Sequence, residues 1–71
     1  MDHAIKSLEP HLDWYLSMLR QEWRGGKGEY KKLTSCPSYA ACKALVDAIH
    51  VLEKHEYGQT KTMSVPDLID W

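Results

Sequence analysis

The sequence predicts one mainly α-helical domain: an antiparallel helical hairpin with a short C-terminal helical turn. Three observations carry that expectation. Apolar residues recur at helical spacing over 8–24 and again over 37–56, and a glycine cluster separates the two stretches. A chain of 71 residues has room for one hydrophobic core and no second.

The first helix is expected over 8–24. Ser7 can serve as its N-cap, Glu9 suits the positive first turn, and Pro10 falls early enough to be tolerated. Leu8, Leu12, Tyr15, Leu16, Leu19 and Trp23 follow an i, i+4, i+7 stripe that Ile5 would extend. Arg24-Gly25-Gly26 supplies a basic last turn followed by a glycine stop.

Residues 25–36 form the connection, because glycine at 25, 26 and 28 prevents a continuous helix. Tyr30 and Leu33 are expected to fold back onto the apolar seam.

The second helix is expected over 37–56, with Ser35 or Ser38 as cap, Pro37 in the first turn and Tyr57-Gly58 as the exit. Its apolar arc is wide. Tyr39, Cys42, Leu45, Val46, Ile49 and Leu52 make one face, and Ala41, Ala44, Ala48 and Val51 carry it further round. Such a helix needs more than one neighbour. The first helix covers one side, and two elements could cover the other. In the segment 57–71, Ser64 could cap a terminal turn that sets Leu68, Ile69 and Trp71 on the core. A second copy docking through Ala44, Ala48 and Val51 would make a homodimeric four-helix bundle. A competing reading turns Tyr30–Thr34 and Thr60–Val65 into short strands.

Several chemistries are expected to be absent. Cys36 and Cys42 are expected as reduced thiols in a cytoplasmic setting, with no signal-like apolar run at the N-terminus. The histidines are His3, His11, His50 and His55, and none stands in metal-ligand spacing, so no metal and no cofactor is expected. No apolar run reaches the ~20 residues of a membrane span. Nine basic residues against ten acidic ones make a near-neutral chain, unlike most whole-surface nucleic-acid binders. Catalysis finds no nucleophile motif, and Asp13, Asp47, Glu53 and Glu56 read as solvent positions on helices.

Two surface features remain. Trp14 and Met18 stand one turn apart off the leucine stripe, with His11 on the same side. They are either partner-binding anchors, since Trp and Met are enriched at interfaces, or a widened core face covered by the tail. Arg20, Arg24, Lys27, Lys31 and Lys32 cluster with Trp23 and Tyr30 around the glycine loop. Phosphate or nucleic-acid contact is one reading of that cluster, and a solvated basic helix end is the other. The spacing departs from a Walker A loop.

The expected function is therefore a small non-enzymatic module that binds a larger protein, as an inhibitor or adaptor. Virus-encoded blockers of host or defence enzymes are one class of that kind. The alternative is a small nucleic-acid or nucleotide binder.

Overall fold

A computed structural model describes residues 2–26 and 30–69. The first helix, α1, is Asp2–Gly25. A 3-10 turn, Leu33–Ser35, interrupts the connection. The second helix, α2, is Tyr39–Tyr57, and a short third, α3, is Val65–Ile69. No strand occurs among the described residues: Tyr30–Thr34 runs into the 3-10 turn, and the described stretch from Thr60 to Ser64 is irregular.

The core lies where the two helical stripes meet. Ile5, Leu12, Leu16 and Leu19 of α1 are buried against Cys42, Val46 and Ile49 of α2. Leu33 and Cys36 close the loop end, and Val65 and Ile69 of α3 complete the cluster. Leu8, Tyr15, Trp23, Tyr30, Tyr39, Leu45, Leu52 and Leu68 pack half-buried around it.

Both helix starts differ from expectation. Helix α1 begins at Asp2, so Ser7 is an interior residue whose hydroxyl donates to the His3 carbonyl at 2.8 Å. Pro10 likewise lies inside the helix. The reason is Ile5, which is buried and extends the core stripe a full turn towards the N-terminus. Tertiary burial there outweighs the weak local preference of serine for a cap and of proline for a first turn. Helix α2 begins at Tyr39, after Pro37. Cys36 is extended (φ −68°, ψ 136°), as expected of a residue preceding proline.

Ser38, one of the two expected positions, stands at the N-cap of α2 but makes no capping bond with its own side chain. Glu22 of α1 takes that role. Its carboxylate accepts the Ser38 N–H at 2.9 Å and the Ser38 hydroxyl at 2.6 Å. A negative charge is thus held at the positive end of α2, where it also satisfies one backbone donor, the Ser38 N–H. The contact ties the end of one helix to the start of the next and fixes the hairpin register.

At its other end α2 stops at Gly58, which adopts the left-handed conformation (φ 77°) and donates its N–H to the Lys54 carbonyl at 2.9 Å. That turn sends the chain back along α2. Helix α3 then docks near the loop end of the hairpin. Ser64 opens it: its carbonyl accepts the Leu68 N–H, and its hydroxyl donates to Asp67. The tail therefore covers its own domain, with Leu68 half-buried and Ile69 fully buried. Trp71 lies outside the described residues.

This packing predicts a contrast between two aliphatic side chains. Ile69→Ala empties a fully buried site and is expected to cost ~2–5 kcal/mol. Val51→Ala, at a side chain 69% exposed, is expected to stay within about 0.5 kcal/mol. Urea unfolding followed by circular dichroism measures both. Equal losses would mean that the tail does not pack as described.

Candidate functional site

Among the described residues, one carboxylate is buried in the interior. Glu53 is 4% exposed, although its residue type suggests a solvent position. The expectation that Glu53 faces water is thus corrected. Cys42, Val46, Ile49 and Glu53 fall at i, i+4, i+7 and i+11, so the core stripe of α2 ends on an acid. The returning tail satisfies it. Glu53 Oε1 accepts the backbone N–H groups of Lys61 and Thr62, each at 3.0 Å, and Oε2 accepts the Thr62 hydroxyl at 2.7 Å. One turn earlier, His50 Nε2 lies 2.7 Å from the Thr62 carbonyl, to which the matching tautomer donates. Burial pushes the Glu53 carboxyl up. The bonds from Thr62 and Lys61, with the nearby His50, outweigh that and hold it below the ordinary glutamate value.

A second clamp holds the end of α3. Arg20 donates to the Leu68 carbonyl at 2.8 Å, and Arg24 to the Ile69 carbonyl at 3.0 Å. Both guanidiniums serve carbonyls that the end of a helix leaves without intrahelical partners. The basic cluster read from the sequence therefore divides. Arg20 and Arg24 grip the tail. Lys31 and Lys32 stand exposed beside the 3-10 turn, Tyr30 is half-buried, and Lys27 lies outside the described residues. Lys31 and Lys32 border a shallow cleft of about 330 Å³ whose other walls are Leu33, Thr34, Tyr39 and Pro66.

The tail lies on one side of the hairpin only. On a 100° step per residue, Arg20 and Arg24 occupy one flank of the α1 core stripe, and His11, Trp14 and Met18 occupy the other. On α2, His50 and Tyr39 share the tail flank, while Ala41, Leu45, Ala48 and Leu52 point the opposite way. In an antiparallel hairpin these two far flanks belong to one surface. The structure thereby brings together the anchors of α1 and the alanine side of α2. Trp14 is 60% exposed and rests edge-on against Tyr15, with ring centroids 5.0 Å apart at 78°. His11 is exposed, and Met18 is half-buried. Ala44, Ala48 and Val51 are all exposed, with Ala44 and Val51 at the outer edge of this surface. Trp14 is thus not enclosed by the tail, while Met18 is partly covered.

Other site chemistry is sparse. Cys36 and Cys42 are free and buried. Burial, with a smaller contribution from the Glu22 charge, raises both thiols above their usual range, which lowers their reactivity. Among the described residues, no group of three or more His, Cys, Asp or Glu gathers where a metal could be held. No described helix is long and apolar enough to cross a membrane. No family model, curated protein or solved structure matches the chain.

Sequence reasoning missed two residues with structural consequences: Glu22, which caps α2, and Glu53, which clasps the tail. Glu53 had a legible signal in its place on the apolar stripe. Glu22 had none, since its partner lies across a loop.

The depressed Glu53 pKa has a definite sign. The fold favours the carboxylate over the acid, so this contribution is fully present above the unfolded value of about 4.3. It is lost as pH falls through the lower folded value. Glu53→Gln presents an amide where carboxylate oxygens meet N–H donors, and is expected to cost ~1–3 kcal/mol at pH 7. The variant should also lose part of the acid dependence below about pH 4. Urea midpoints at pH 7 and pH 3 for both proteins check this, and parallel pH profiles would contradict it.

Proposed function

We propose that the protein is a non-enzymatic binding module that occupies a surface of a larger protein, as an inhibitor or adaptor. The observation that carries this reading is the open apolar surface of α1 and α2, centred on Trp14 and Met18 and left uncovered by the tail. An exposed indole beside a half-buried methionine and small alanine side chains is a surface on which a protein partner can settle. Trp14, Met18 and His11 are the proposed contacts, with the indole as the main anchor.

The mechanism is steric. A rod of 40 × 18 × 16 Å can lie along a groove or over an active-site mouth and exclude other ligands. Virus-encoded blockers of host or defence enzymes are one class that works in this manner. Buried free thiols suit a reducing, cytoplasmic setting.

The alternative, a nucleic-acid or nucleotide contact, is favoured by the exposed Lys31 and Lys32 beside their cleft. It is weakened by the engagement of Arg20 and Arg24 on α3.

Affinity capture with the tagged chain, followed by mass spectrometry and titration of the isolated partner, tests the choice. Trp14→Ala is expected to weaken binding by ~2 kcal/mol or more, as for an interface hot spot. Joint replacement of Lys27, Lys31 and Lys32 by alanine is expected to leave it intact, with little dependence on salt. A steep salt dependence, together with loss of binding in the lysine variant, would instead establish the phosphate reading. Because Trp14 is exposed, its variant should keep its helical circular dichroism signal.

A further inference from the structure

We infer that a second copy of this chain closes the open face, with the two hairpins related by a two-fold axis parallel to their helices. This goes beyond the larger partner proposed above and does not depend on one existing. The two occupants would compete for the same Trp14.

Register is the first argument. The Glu22 carboxylate reaches Ser38 at 2.9 Å, so these positions lie side by side in the antiparallel pair. Counting back along α1 and forward along α2 brings Met18 to about the level of Cys42, and Trp14 to about that of Val46. The open side of α2 at that level consists of Ala41, Ala44, Leu45 and Ala48. One helix thus presents bulk where its neighbour presents mostly small side chains, at the same height.

A two-fold axis along the hairpin preserves height and exchanges the helices. It sets α1 of each copy on α2 of the other, antiparallel, as in a four-helix bundle. Trp14 and Met18 of one protomer then lie over the alanine flank of its partner, and the reverse holds at the same time. Trp14 points towards the outer edge of α1, and Ala44 towards the outer edge of α2, so the two edges also coincide. The perpendicular two-fold axis would instead set α1 on α1 and α2 on α2. Trp14 and Met18 would meet their own copies while the alanine flanks faced each other across a gap. Close packing favours the first arrangement.

Charge agrees with it. Along the Trp14–Met18 flank and the Ala41–Leu52 flank, the charged side chain nearest the centre is Glu22, which is engaged on Ser38. A formal net charge of −1 per chain adds little repulsion.

Sedimentation of the untagged chain alone, across concentrations, tests the inference without any other partner. Twice the chain mass is expected at high concentration. Met18→Lys and Ala44→Glu, each alone, should weaken the dimer about tenfold or more. Mixed in equal amounts they should recover much of it. Each mixed dimer then sets the introduced lysine of one chain against the introduced glutamate of the other, and keeps one unaltered contact. Trp14→Lys with Ala48→Glu is a second pair at exposed positions, so the test survives a folding defect in the first. A chain that stays monomeric throughout overturns the inference. So does a dimer weakened by the α2 changes alone and not restored by mixing, since that is the signature of α2 docking on α2.

Discussion

Glu53 is a charge held inside an apolar stripe, and much of the molecule is arranged around that fact. Taking a carboxylate out of water costs several kcal/mol even after relaxation, so the site is stable only if its oxygens find donors. Three donors come from Lys61 and Thr62, which follow the left-handed turn at Gly58. The acid therefore dictates which way the chain leaves α2 and along which side it returns. Had the stripe ended on a leucine, the two buried side chains of α3 would have had less to hold them in register against the entropy of ordering the tail.

That choice of side propagates. A tail clasped at Glu53 and His50 reaches the flank of α1 that bears Arg20 and Arg24, whose guanidiniums take the last carbonyls of α3. Two residues that look like phosphate ligands in the sequence thereby become fasteners of the fold. The opposite side of the hairpin keeps Trp14, Met18 and the alanine flank in the open. The inward clasp and the outward face are thus two consequences of one constraint, and the proposed partner surface is the side the tail could not cover.

Glu22 acts at the other end of the hairpin with the same chemistry. A carboxylate from one element satisfies the backbone N–H and hydroxyl of Ser38 at the start of another, and its geometry sets the height of α1 against α2. In a fold with so small a core, these two acids place the elements more sharply than apolar contacts alone, because hydrogen bonds have direction and hydrophobic burial does not. The levels of Met18 and of the alanine flank, on which the proposed dimer rests, follow from that contact.

The helices themselves were legible in the chain. A leucine stripe at 3.6-residue spacing, a glycine stop and a second apolar arc determine two rods and their facing sides, since periodicity is a local property. The excess apolar arc of α2 also announced that a third element must cover part of it. Glu53 lies on that arc, yet its residue type points to water, and only the donors of the returning tail make an interior acid stable there. The caps were less legible. Ser7 looks like a helix start, but burial of Ile5 places it inside α1; Ser38 does stand at the N-cap of α2, yet Glu22 and not its own side chain makes the capping bonds. Only the tertiary structure decided which side the tail takes, and hence that Arg20 and Arg24 are occupied while Trp14 is not. Those outcomes depend on contacts between residues more than forty positions apart, such as Arg20 with Leu68 and Arg24 with Ile69. No local pattern encodes such a contact, because its energy exists only once the hairpin has brought the partners together.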